Sequence, residues 1–147
     1  MAYRDPVAQR LVAAALADLA QRYGGPGDAT PVGGTQFDPP DGAFLVATVH
    51  GVPAGCAGWR TRPEQPDVAE LKRMYTLPEY RGRGVASALL TAVEESARAA
   101  GCTRVWLETG LRQPEAIALY EKLGYVPIPN FGYYAGYPNC RSFGREL

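Results

Sequence analysis

Between Tyr80 and Leu90 the chain reads Tyr-Arg-Gly-Arg-Gly-Val-Ala-Ser-Ala-Leu-Leu, a glycine-punctuated turn that runs straight into an amphipathic pattern. Gly82 and Gly84 carry no Cβ, so a turn built on them can aim successive backbone N–H groups into one concavity. The first four amides of a helix starting there have no internal partner and stand at the positive end of its dipole, where an anion is stabilised. Arg81 and Arg83 add positive charge beside them. The junction requires a strand before it and a helix after it, and it suits a diphosphate.

The spacing excludes two commoner phosphate loops. A Walker loop places Lys and then Ser or Thr after its last glycine, whereas Gly84 is followed by Val85 and Ala86. A dinucleotide fingerprint needs a third Gly or Ala, and counting from Gly82 that position is Ser87. What the segment does match is Arg-x-x-Gly-x-Ala at Arg81, Gly84 and Ala86. That pattern resembles the pyrophosphate-binding motif of the GCN5-related N-acetyltransferases (GNAT). The flanks agree: a strand-like Val68-Ala-Glu-Leu-Lys-Arg-Met-Tyr-Thr-Leu77 closed by Pro78 precedes it, and a helix-like Glu115-Ala-Ile-Ala-Leu-Tyr-Glu-Lys-Leu-Gly-Tyr125 follows. Three motifs in the expected order, within residues 44–126, carry the resemblance. The combination Leu-Lys-Arg-Met-Tyr, Leu-Glu-Thr-Gly and Phe-Gly-Tyr-Tyr further looks like a bacterial small-molecule subgroup labelled indoleacetate-acetyltransferase-like, which says nothing by itself about substrate.

Length and periodicity outline the remainder. With 147 residues the chain suits one domain, 1–147. Asp5-Pro6 reads as an N-cap with proline at the first helical position, opening a helix that ends at Gly24-Gly25. Residues 24–42 hold six glycines and four prolines and read as a loop long enough to be functional. Residues 43–50 and 54–61 read as a hairpin joined by Gly51-Val52-Pro53. Val85, Leu89, Val93 and Ala97 recur at helical spacing, Gly101 ends that helix, and 103–109 reads as a strand parallel to 68–77. Pro114 opens a second crossover helix with Ala116, Leu119, Tyr120 and Leu123 on its inner face and Gly124 as its cap. The tail is irregular and aromatic and closes with an edge strand at 141–146. This order predicts an α+β, mixed α/β, fold: an antiparallel meander leading into parallel strands flanked by helices. The resemblance implies the GNAT-like form of it, with the two parallel strands splayed so that a pantetheine arm slots between them. The opening helix departs from that pattern, which begins on a strand.

Fifteen basic and fifteen acidic residues cancel, which gives no electrostatic reason to expect nucleic acid or an anionic membrane. No apolar stretch approaches the ~20 residues of a membrane span, and a cytoplasmic location is the default expectation. Cys56, Cys102 and Cys140 are widely separated and a single histidine, His50, accompanies them, so neither disulfides nor a metal site is expected. Buried or merely incidental thiols are the better reading of all three.

The resemblance implies a transferase that uses acetyl-CoA as cosubstrate and a small-molecule amine as acceptor, the amine attacking the thioester directly in a ternary complex. A non-catalytic acyl-CoA-binding domain of the same fold is the alternative, and a homodimer is left open. By the same resemblance the cofactor contacts fall on Met74, Tyr75 and Thr76, whose backbone N–H groups would polarise the thioester carbonyl, and on Arg81, Gly82, Arg83, Gly84, Val85, Ala86 and Ser87. Gln113 stands where many relatives have a cofactor-contacting asparagine. Glu70, eleven residues before Arg81, takes the base position, and Tyr120 the acid position. An unperturbed glutamate near ~4.3 lies about six units below an alkyl ammonium near ~10.4, roughly 8 kcal/mol uphill for direct abstraction. A water relay from Glu70 is therefore favoured over a direct transfer. Trp59 and Arg73 are acceptor-side candidates, and so are Tyr133 and Tyr134 on the glycine-rich 130–137 loop, whose aromatics could equally cover a core edge.

Overall fold

The computed structural model describes residues 1–147 apart from Ala29 and Pro31. Helix α1 (Pro6–Tyr23) starts where the Asp5 side chain accepts a hydrogen bond from the Val7 amide at 2.8 Å, and it ends at Gly24, whose φ is 77°. Ala8, Leu11, Val12 and Ala15 form its buried stripe. Ala8, Leu11 and Val12 pack with Phe37, Phe44 and Cys56 into a small core on one face of the sheet. Among the described residues of 24–41 there is neither helix nor strand, and Ala29 and Pro31 of the expected loop lie outside the described residues.

Strand β1 (Gly42–Val49) pairs antiparallel with β2 (Val52–Arg62), and β2 with β3 (Gln65–Thr76). The first hairpin is tighter than its sequence suggested: Val49 faces Val52 across a turn of His50 and Gly51, at φ 50° and 80°, so Val52 and Pro53 belong to the strand. Two successive positive φ values give a turn whose twist matches that of the strands it joins. A 3-10 turn (Pro78–Tyr80) and the glycine turn then lead into α2 (Val85–Ala99), which returns the chain to β4 (Arg104–Gly110). Helix α3 (Pro114–Lys122), β5 (Val126–Ile128) and β6 (Cys140–Glu146) complete the chain. The sheet order is β1-β2-β3-β4-β6-β5.

The C-terminal strand is therefore interior and pairs with β4 along its whole length. The edge belongs to β5, a three-residue Val-Pro-Ile strand too short to carry a period. On α3 the expected inner face holds at Ala116, Tyr120 and Leu123, but Ile117 packs against the main core in place of Leu119. Gly124, at φ 89°, closes that helix.

Strands β3 and β4 run parallel over only three register pairs, Val68 with Arg104, Ala69 with Val105 and Glu70 with Trp106. The cause lies one strand away. Between Cys56–Tyr75 and Gly58–Lys72, two steps along β2 correspond to three along β3, and Arg73 sits in the extra position with φ 58°. A bulge bends its strand and tightens the local twist. Beyond Glu70, β3 consequently parts from β4, and the edge it turns toward β4 carries no ladder partner.

Candidate active site

The parting strands open a cleft of about 450 Å³. Leu71–Tyr75 form one wall and Leu107–Gly110 the other; α1 contributes Ala15, Leu16, Leu19 and Tyr23, and α3 contributes Tyr120. Strand alternation sorts these side chains to opposite faces. Leu71 and Leu107 look toward the core beneath α2 and α3, with Tyr120 and Met74. Lys72 and Glu108 look the other way, toward Asp28 and the tyrosine-bearing tail.

At the end of the β3 wall the chain reaches the glycine turn. Gly84 has φ 79° and is the N-cap of α2, and Gly82 has φ 77°; a Cβ built at either meets nothing within 4 Å. Backbone conformation, not crowding, selects glycine here, and the space above both residues is open to a ligand. The first intrahelical bond runs from the Ala88 amide to the Gly84 carbonyl at 3.0 Å, leaving the amides of Val85, Ala86 and Ser87 with no intrahelical acceptor. The Arg81 Nε donates to the Thr76 carbonyl at 3.1 Å and its guanidinium lies 5.4 Å from the Tyr75 ring centre, while much of the side chain stays open to solvent. Arg83 lies 5.5 Å from the Tyr80 ring centre. An open concavity of free amides flanked by two arginines fits a diphosphate, and the cleft beside it fits an extended thiol arm.

Tyr120 is buried on the α3 face, its hydroxyl 3.9 Å from Met74 Sδ, and burial pushes its pKa up to about 12. Gln113 lines the opposite corner, where its Oε1 accepts from the Gly110 amide and from the Tyr23 hydroxyl, each at 3.3 Å. Tyr23 explains Gly110, since a Cβ there would stand 1.9 Å from the Tyr23 oxygen.

Of the proposed acceptor-side residues, Arg73, Tyr133 and Tyr134 lie on that face and Trp59 does not. The Trp59 indole is buried in the main core and donates to Ser96 Oγ of α2 at 2.9 Å. Arg73 is bonded to Asp28 and reaches the Thr30 carbonyl at 3.3 Å. Tyr134 meets Tyr133 and Tyr137 edge to face, Tyr133 and Tyr137 stack on each other, and Tyr134 and Tyr137 line the cleft. Glu70 is buried between Arg60 Nη2 at 3.7 Å and Arg62 Nε at 3.5 Å and does not line the cleft.

Sequence reasoning missed Asp28, Lys72 and Glu108. Burial works against ionisation of Asp28, but Lys72, Thr30 and Arg73 outweigh it and hold that carboxyl below its ordinary value. The Lys72 ammonium lies 3.5 Å from both Asp28 and Glu108. Burial pushes the Glu108 carboxyl up, Glu70 adds to the rise, and Lys72 and the Tyr134 amide oppose it. A signal was present for two of them: Lys72 and Glu108 are charges at inward positions of otherwise buried strands.

The sequence model of the Acetyltransferase (GNAT) family matches residues 13–125, and the chain belongs to that family. It is 40% identical over 99 residues to the IAA acetyltransferase of Azospirillum brasilense, covering 67% of this chain and 64% of that one. An uncharacterised N-acetyltransferase of Escherichia coli, YjgM, is 39% identical over 93 residues, covering 63% of this chain and 56% of its own. The chain thus spans less than two thirds of the length of either relative. A crystal structure from Klebsiella pneumoniae, described provisionally as an acyl-CoA N-acyltransferase, superposes with a TM-score of 0.82 at 30% identity over 100% of this chain and 94% of that one. The PaiA N-acetyltransferase of Thermoplasma acidophilum, solved with coenzyme A, shares the fold with a TM-score of 0.62 at 20% identity, over 73% of this chain and 62% of that one.

Proposed function

We propose that the protein is an acetyl-CoA-dependent N-acetyltransferase that acetylates a small-molecule amine by direct attack within a ternary complex. The observation that carries this reading is the splay of β3 from β4, which connects the amide concavity at α2 to a cleft with Tyr120 on one face and charged groups on the other. When bound, acetyl-CoA supplies an activated acyl thioester. The 81–87 turn holds its diphosphate through backbone amides and Arg81. The unpaired edge of β3 near Met74–Thr76 presents N–H groups to the acyl oxygen, where a donor fixed in place stabilises developing negative charge. Tyr120 donates to the departing sulfur. Two thiols favour direct attack over an acyl-enzyme: burial raises Cys56 to about 12 and raises Cys140 as well, so neither offers a thiolate at neutral pH.

Thiol release from acetyl-CoA, followed across tyramine, spermidine and glycinamide, tests the proposal. Amine-dependent release above the hydrolysis background is expected with at least one of them. Calorimetric binding of acetyl-CoA without any amine-dependent release would return the chain to the binding-domain alternative.

A further inference from the structure

Resting on the transferase reading, we propose that Glu108, on the strand opposite the one bearing the expected base, receives the acceptor's ammonium and takes its proton. Glu108 lines the cleft and Glu70 does not. Glu70 is buried between Arg60 and Arg62, 3.7 and 3.5 Å away, outside the cleft. Glu108 instead projects to the face of the sheet opposite Tyr120, so the ammonium would lose its proton on one side of the cleft and the sulfur would receive one from the other.

The molecule already shows that this carboxylate accommodates an ammonium. Lys72 Nζ stands 3.5 Å from Glu108 Oε1 and 5.9 Å from the centre of the Tyr134 ring, a carboxylate and an aromatic face around one cation. The other carboxylate oxygen is fixed by the Tyr134 amide at 3.3 Å and faces Cys140 Sγ at 3.9 Å. The groups that bear on its ionisation are Lys72 and Glu70 from β3, Cys140 from β6 and the Tyr134 amide from the tail. Burial is the largest influence and moves the carboxyl upward, toward the pKa of an ammonium, which narrows the uphill gap for proton transfer. Lys72, tied also to Asp28 and Thr30, opposes that rise.

The proton balance is complete. Glu108 takes one proton from the ammonium and later releases it to solvent. The freed lone pair forms the C–N bond while the C–S bond breaks, and the sulfur receives the Tyr120 proton. The nitrogen's second proton leaves to water, and Tyr120 regains one from the same source.

The test compares E108Q with E70Q in log kcat/KM against pH, using whichever amine the wild type turns over fastest. For E108Q, kcat/KM at pH 7 should fall about 10²–10⁴-fold and then climb with pH toward the wild-type value near the amine's own pKa of ~10.4, where no base is needed. Acetyl-CoA affinity, read by calorimetry, should stay within about twofold. E108D, which keeps a carboxylate, should retain the wild-type pH shape at lower kcat, and it serves as the readout if the glutamine variant does not fold. A uniform loss at every pH, or the same pH signature in E70Q with E108Q unaffected, would overturn the assignment. Failure of the wild type to turn over any amine would overturn the transferase reading, and this one with it.

Discussion

Gly84 caps α2 at the proposed diphosphate site. Its φ of 79° lies in the left-handed region, where an L side chain costs roughly 1–2 kcal/mol. Nothing in the protein fills the space above it. Gly84→Val would therefore strain the turn and place a branched side chain where a phosphate needs the backbone. Acetyl-CoA affinity is expected to fall at least about tenfold, near 1.4 kcal/mol, by calorimetry on a variant of native circular dichroism; unchanged affinity would remove the turn from the site. Tyr120 poses a different question, because a phenol raised to about 12 is a weaker acid than its type. Under the proposed mechanism its proton is needed only as the sulfur leaves, so its loss should show in kcat rather than in binding. Tyr120→Phe should lower kcat about 10²–10⁴-fold with little change in acetyl-CoA affinity. The sign of the shift fixes the pH behaviour. The hydroxyl stays protonated to about 12, so the wild-type rate should show no fall assignable to it below that pH.

Among elements, the segment 24–41 is anchored by apolar contact at Phe37 and by ionic contacts at Asp28. Asp28 holds Lys72 and Arg73, and removing one partner of a buried ion pair costs about 3–5 kcal/mol because the remaining charge is stranded. Asp28→Asn should lose stability of that order in urea denaturation. The folded carboxyl lies below its unfolded value, so its contribution is present above the unfolded value near ~3.9 and disappears as pH falls through the folded one. Wild-type stability should accordingly drop on acidification below that range, and the variant should lack this part of the drop. That these groups meet was not readable from local pattern, since Asp28, Lys72 and Glu108 are far apart in sequence and come together only across the splay. Elements with strong periodic or capping signals, namely α1, the β1–β2 hairpin, α2, β4 and α3, were legible. The bulge at Arg73 was not, because no glycine marks its positive φ. Trp59 misled for a related reason: strand alternation gives a residue two possible faces, and only the packing of α2 over β2 chooses the core-facing one.

The whole molecule consists of two three-stranded halves, β1-β2-β3 and β4-β6-β5, that share three register pairs. A second tie spans the cleft. Helix α1 packs on β2 and β3, yet its last turn reaches the β4–α3 loop, where the Tyr23 hydroxyl accepts from the Arg112 amide at 3.0 Å and donates to Gln113. Arg22 and Arg112 exchange side-chain bonds to each other's carbonyls at 3.0 and 2.8 Å. These bonds bridge the two halves across the mouth of the cleft. Acetyl-CoA would contact both halves and, at a hundred times its Kd, should stabilise the fold by about 2.7 kcal/mol, a rise of roughly 5–10 °C in Tm for a chain of this size. Tyr23→Phe removes two hydrogen bonds worth about 1 kcal/mol each, so the free protein should melt a few degrees lower. If this bridge preorganises the cleft, the ligand must supply that ordering in the variant. Acetyl-CoA affinity should then weaken about fivefold, with a more unfavourable binding entropy in calorimetry. A variant that melts lower but binds acetyl-CoA with wild-type affinity and entropy would show that Tyr23 stabilises its own corner only, and that β3 and β4 hold the cleft open without help from α1.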